Sequence, residues 1–144
     1  MTRDEADKAI DGTTDGTPAE AQSRKFQREL AAGLTALVLL SVLADAEDDL
    51  YGYEIARRLS SDDAPAAPFK QGALYPVLRN MSGGGLLTSR VVPSYSGPPR
   101  RYYRITPLGR EVLAAWRDTW LSTRAFVDTI VAPAPSSAAQ EMPS

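Results

Sequence analysis

Gln71, Tyr75 and Arg79 are spaced four residues apart, which on a helix sets them along one face. Their side chains carry the donors and acceptors that planar base edges need. A glutamine amide can pair with adenine, an arginine fork with guanine or a phosphate, and a tyrosine hydroxyl with a phosphate oxygen. Lys70 precedes them and suits a phosphate contact better than base readout. Arg100 and Arg101 follow Pro98 and Pro99, at the base of a stiffened loop from which guanidinium groups reach phosphates or a minor groove. Plainer readings stand beside these: Tyr75 packed on the preceding helix, Arg79 solvated, and Arg100 and Arg101 as an ordinary charged hairpin end.

Charge sets this group apart from the rest of the chain. From Ala64 to Arg110 there are 47 residues without an aspartate or glutamate and with seven basic side chains, in a protein of net charge -2. The sequence pI of about 5.1 conceals that one-signed segment, which is the field a polyanion would meet. Arg90 and Arg104 fall within it and extend the basic face. Several neutralised phosphates would make binding fall steeply with salt.

Other chemistries are poorly supplied. The chain has no cysteine and no histidine, which excludes disulfides, the usual zinc ligand sets and thiol or imidazole catalysis. Glu54 and Asp118 have no paired carboxylate, phosphate loop or metal spacing around them. No enzymatic activity, metal or cofactor is expected. The apolar run Leu34 to Ala44 is 11 residues, too short to span a bilayer, and the N-terminus is acidic where a secretory signal is basic. A soluble, cytoplasmic protein without a membrane partner is expected.

The elements that must position these residues follow from periodicity. A first helix is expected from about Arg24 to Ala44, with Phe26, Leu30, Leu34, Leu37 and Val38 on a 3.6-residue period and its second half apolar almost all round. Such a helix is buried or shared with a partner. The acids Asp45, Glu47, Asp48 and Asp49 then suit the start of a second helix, Tyr51 to Ser60. A third helix, about Gln71 to Met81, turns Leu74, Leu78 and Met81 inward. Pro76 is tolerable there only within or just after the first turn. Leu86–Val92 and Arg101–Ile105 read as a hairpin. Thr106 and Pro107 start a long last helix, whose face Val112, Trp116, Trp120, Thr123, Val127 and Ile130 reaches about Val131.

The fold expected is mostly α with a small β-hairpin: a winged helix-turn-helix plus a long C-terminal dimerisation helix. The division is a disordered acidic tail at 1–23, a DNA-binding domain at 24–106, a dimerisation helix at 107–131 and a disordered tail at 132–144. The first and last helices carry more apolar surface than so small a core can cover, which predicts a homodimer. A dimer would bring two recognition helices to adjacent major grooves of a palindromic double-stranded operator. Trp116 and Trp120, with Leu34, Val38 and Val127, form an effector pocket or a dimer interface. The tryptophans are core or packing residues, or one of them stacks on a flat apolar ligand.

Three segments resemble the PadR family of bacterial winged-helix transcriptional regulators. Tyr51-Gly52-Tyr53-Glu54-Ile55 is similar to the family's His/Tyr-Gly-Tyr-Glu-Ile, and Gly72-Ala73-Leu74-Tyr75-Pro76-Val77-Leu78 to its Gly-Thr-Leu-Tyr-Pro-x-Leu. Arg101-Tyr102-Tyr103-Arg104-Ile105-Thr106-Pro107-Leu108-Gly109 is similar to its Arg-x-Tyr-x-Leu-Thr-x-x-Gly. The resemblance implies a homodimeric repressor released from DNA by a small aromatic or drug-like effector. It implies Tyr53, Gly72, Tyr75 and Arg79 in the DNA-reading unit, Arg100 and Arg101 at the wing, and Trp120 in an effector cavity. A single C-terminal helix matches the short subgroup. Two departures stand out. Ala73 lacks the hydroxyl of the usual threonine, and Ser82-Gly83-Gly84-Gly85 should fray the third helix. A winged-helix protein-interaction module, or a regulator with no effector, is the alternative.

Overall fold

Thr17, Pro18 and Glu20 start the first helix by a local code. The Thr17 hydroxyl accepts from the Glu20 N–H at 3.1 Å, and the Glu20 carboxylate accepts from the Thr17 N–H at 2.9 Å. This is a capping box with proline in the first turn. Helix α1 therefore runs Pro18–Asp45, which corrects the expected start near Arg24 and takes residues 18–23 out of the expected tail. The acidic, glycine-broken composition upstream masked a start signal only four residues long. The computed structural model describes residues 16–59, 69 and 71–133. Residues 1–15 and 134–144 of the expected tails lie outside them.

At 28 residues, with an 18-residue window of mean hydropathy 1.4, α1 is long and apolar enough to cross a membrane, although the run Leu34 to Ala44 alone is not. Packing gives that apolarity another use. Leu39, Leu40 and Leu43 are buried in one core with Ile55, Leu74, Leu78, Leu87 and Leu113.

The acidic cluster after α1 does not cap the next helix as expected. A short strand β1, Leu50–Tyr51, intervenes before α2, Gly52–Leu59. Glu54 supplies the cap, accepting from the Tyr51 N–H at 3.1 Å. Asp49 turns to the sheet instead. Its carboxylate accepts from Arg90 Nε at 2.8 Å and from Arg104 Nε.

Helix α3, Gln71–Gly83, buries the expected stripe Leu74, Leu78 and Met81. Pro76 is its sixth residue, just after the first turn, and the helix continues through it. Lacking an N–H, Pro76 leaves the Gly72 carbonyl without its intrahelical donor. The expected fraying at the glycine run is absent. The N–H groups of Gly84, Gly85 and Leu86 return to the carbonyls of Asn80, Ser82 and Met81 at 2.9, 3.1 and 2.9 Å, and Gly85 takes φ +85°. Together they close a Schellman cap, for which a glycine at that position is the natural residue.

Strands β2, Leu87–Val92, and β3, Arg100–Ile105, pair antiparallel, and β1 adds to the far side of β3 in the order β1-β3-β2. Among the described residues the sheet thus has three strands where two were expected. Leu50 and Ser89 both stand opposite Tyr103, and Leu87 stands opposite Ile105, so Leu50, Leu87, Tyr103 and Ile105 share the face turned to the core. Helix α4, Pro107–Val131, begins as expected at Thr106, whose hydroxyl accepts from the Gly109 N–H at 2.9 Å. The same hydroxyl donates toward the Gly85 and Leu86 carbonyls at 2.7 and 3.1 Å.

Asp49 fastens the sheet to the end of α1. Hydrogen bonding from Arg90, then from Arg104 against an opposing push from burial, holds its carboxyl below the ordinary value. The folded-state value is lowered, so its contribution is fully present above the unfolded-state value of about 4 and disappears as pH falls through the lowered value. We predict that Asp49→Ala costs about 2 kcal/mol at pH 7. Urea titrations of both proteins from pH 7 down to pH 3 should show the gap narrowing only at the acid end. A gap that does not depend on pH would assign the loss to packing instead.

Candidate nucleic-acid interface

Leu74, Leu78 and Met81 are buried on α3, which leaves Gly72, Ala73, Pro76, Arg79 and Asn80 on its exposed side. Tyr75 is half-buried. Its ring lies against Gly52, with Cε1 only 2.5 Å from where a Cβ at Gly52 would stand. The ring thus packs on the start of α2. Lys70 lies outside the described residues, and so does the side chain of Gln71, the first residue of α3.

Arg100 and Arg101 are neighbours in sequence and part company in space. Successive strand residues face opposite sides of a sheet, and β3 obeys this. Arg101 shares the inner face with Tyr103 and Ser89, and its Nη1 donates to Ser89 Oγ at 3.0 Å. Arg79 of α3 meets the same place: Arg79, Ser82, Ser89, Arg101 and Tyr103 line a cavity of about 300 Å³. Burial pushes the Tyr103 hydroxyl above its ordinary value, against the opposing pull of Arg101 and Arg79. The phenol therefore remains a proton donor at neutral pH.

Arg100 lies on the outer face, its guanidinium 4.5 Å from the centre of the Tyr51 ring. Tyr51 in turn neighbours Tyr102 at 5.4 Å and stacks with Tyr53 at 6.2 Å. Arg90 covers Tyr102 at 5.2 Å. Cation–π contacts of this kind hold a guanidinium in place while it stays charged. Arg90 and Arg104 were expected to extend the basic face. Both bond Asp49, whose single negative charge offsets half of the pair's positive charge within the fold. Tyr53, 54% exposed, stands with Arg100 on this outer side.

The candidate residues thus form two groups, one on each side of the wing. Arg79 and Arg101 line the inner cavity, and Tyr53 and Arg100 each neighbour Tyr51 on the outer aromatic ladder. Sequence reasoning missed Tyr51, Tyr102, Ser82 and Ser89. Period-two alternation along β3 was the available signal for Tyr102, since it puts residues 100, 102 and 104 on one face.

A third group lies at the other end of the molecule. Trp116, Trp120 and Leu34 come together with Leu30, Leu37 and Thr123 around a cavity of about 460 Å³ between α1 and α4. Val38 is half-buried and does not line it, and Val127 lies further along α4. Every residue of α4 from Leu121 onward is exposed, including Phe126, Val127, Ile130 and Val131. Phe26 and Leu30 of α1 are exposed as well.

Known proteins share this fold. The model of the transcriptional regulator PadR-like family matches residues 39–115. The transcriptional regulator Rv3488 of Mycobacterium tuberculosis is 39% identical over 93 residues, which are 62% of this chain and 75% of that protein. A transcriptional regulator from Clostridium thermocellum superposes with a TM-score of 0.62 at 26% identity, over 72% of this chain and 95% of the other. A PadR family transcriptional regulator from Eggerthella lenta does so with a TM-score of 0.57 at 27% identity, over 74% and 88%. The family match covers more than half of the chain, from within α1 through the recognition helix and wing into α4. This protein belongs to the PadR-like family of transcriptional regulators, DNA-binding winged-helix proteins with a regulatory and not a catalytic role.

Proposed function

We propose that the protein is a homodimeric repressor that holds a palindromic operator and leaves it when a small planar aromatic compound binds. The observation that carries this reading is the division of the molecule into two ends. One end carries Arg79, Arg100 and Arg101 around α3 and the wing, all within the stretch of sequence that has no acids. The other is apolar, with Trp116 and Trp120 at an open cavity beside the uncovered half of α4.

The uncovered apolar residues on α4 and the first half of α1 favour a second copy of the chain. Surfaces of that kind are costly to leave in water, and C2 pairing is the commonest way to cover them. Pairing would set two α3 helices about one DNA turn apart, roughly 34 Å. DNA selection from genomic fragments should then return a site with two inverted half-sites, and sedimentation at micromolar concentration should give the mass of two chains. A single-chain mass, or fragments no different from the input pool, would remove the proposal.

An effector is favoured over effector-independent control because Trp116 and Trp120 line one largely apolar cavity with Leu30, Leu34 and Leu37. Two indole faces suit a flat apolar ligand. Such a ligand should quench tryptophan emission and lower DNA affinity together, and Trp120→Ala should abolish both effects. Quenching without any change in DNA affinity would leave the cavity a binding site but not a control site.

A further inference from the structure

The two faces of the sheet treat their arginines differently. On the outer face, Asp49 bonds both Arg90 and Arg104, and another cavity brings Glu47 and Asp48 beside Arg104 and Arg110. On the inner face, the cavity between α3 and the sheet is lined by Arg79, Ser82, Ser89, Arg101 and Tyr103. All five lie in the stretch without acids, and among the described residues neither arginine has a carboxylate partner.

Hydroxyl groups complete the cavity. Ser82 Oγ is buried and has no hydrogen-bond partner among the described residues, a state that costs free energy unless something in the cavity accepts from it. Ser89 Oγ already accepts from Arg101, so its own proton is free to be donated. Tyr103 keeps its phenolic proton at neutral pH. The last carbonyls of α3 would repel an anion, yet those of Asn80, Met81 and Ser82 are occupied by the Schellman cap. Two cations and three hydroxyl donors therefore line one cavity, with no opposing carboxylate among the described residues. About 300 Å³ leaves room for water beside an ion, a water taking about 30 Å³.

We infer that the cavity between α3 and the inner face of the wing is a binding site for one tetrahedral phosphate-type oxyanion, held jointly by Arg79, Arg101 and the hydroxyls of Ser82 and Ser89. Two sources offer that chemistry, a phosphate of the DNA backbone and a free phosphate in solution. The first rests on the DNA-binding function above, and the second does not. In either case Arg79 serves here as a phosphate ligand and not as a reader of bases.

The test uses the full chain and inorganic phosphate, titrated against chloride at constant ionic strength and followed by nitrogen–proton NMR. Saturable shifts confined to Ser82, Ser89 and Arg101 are expected. Arg101→Gln should raise the half-saturation concentration about tenfold and Ser82→Ala about threefold, charge-assisted hydrogen bonds being the stronger. Shifts no different from those in chloride, or unchanged in both variants, would overturn the inference. Anisotropy of a labelled duplex then separates the sources. If phosphate weakens DNA binding more than chloride does, and Arg101→Gln erases the difference, the backbone of DNA occupies the cavity. Phosphate binding with equal DNA affinity in both salts assigns the site to a free oxyanion. A protein that binds phosphate and no DNA keeps this site while losing the function proposed above.

Discussion

Gly109→Ala should lower the stability of the protein by about 3 kcal/mol, although alanine is the better helix former by about 1 kcal/mol. A Cβ at Gly109 would overlap the Leu86 carbonyl oxygen and stand 2.7 Å from Ile105 Cγ1. Neither neighbour can give way freely. The Leu86 carbonyl accepts from the Thr106 N–H at 3.0 Å and from the Thr106 hydroxyl, and Ile105 is a core residue. Overpacking costs about 1–3 kcal/mol, and each disturbed hydrogen bond adds about 1 kcal/mol, so the steric loss outweighs the gain in propensity. Urea unfolding followed by circular dichroism measures the difference. A variant as stable as the wild type would mean that α4 does not sit this tightly on the turn before the wing.

Joint replacement of Arg79, Arg100 and Arg101 by alanine should weaken DNA binding at least about a hundredfold at moderate salt, because each phosphate contact contributes about 0.9 to the slope of log K against log salt. Two protomers would lose up to six such contacts, so the slope itself should flatten by about five. Anisotropy from 50 to 200 mM salt reads both quantities, those limits being roughly the range over which the effect is large. The single variants then assign roles. Arg100→Ala and Arg101→Ala should each reduce the slope, whereas an arginine that reads a base relaxes sequence preference at one position and leaves other sequences little affected. Unaltered affinity and slope in the triple variant would place the DNA elsewhere.

Much of this architecture was readable from local signals. Thr106 and Pro107 mark the start of α4, the stripe Leu74, Leu78 and Met81 orients α3, and the paired runs of strand formers give β2 and β3. The Thr17–Glu20 capping box was equally local and was overridden by the composition around it. Other features depend on residues far apart in the chain. Strand β1 has only two residues, too few for any alternation to show, and exists because β3 offers it an edge. Asp49 meets Arg90 and Arg104 across 41 and 55 residues, so its departure from a capping role could not be seen in the acidic cluster itself. The glycine run differs again. In sequence its conformational freedom reads as looseness, whereas in the fold Gly85 at φ +85° closes the helix. At the candidate site, residue types were legible and partnerships were not. Adjacent arginines suggested one basic patch, and the pleat of β3 divides them between two.

The bond between Thr106 and the turn that closes α3 makes that threonine a pivot. From Arg110 to Val131, α4 contains neither glycine nor proline, so it has no built-in kink at which to absorb a push. At about 1.5 Å per residue, Trp120 stands roughly 20 Å along this rod from Thr106. A sideways displacement of about 2 Å there becomes a rotation of about 6° at the pivot, if the rod stays straight. Helix α3, also about 20 Å long by the same rise, is tied to the pivot by the Gly85 and Leu86 carbonyls. Carried through that angle as a rigid arm, its far end, near Gly72, would swing by about the same 2 Å. With arms of nearly equal length, a rigid coupling of this kind would make a displacement at Trp120 and the one it produces near Gly72 about equal.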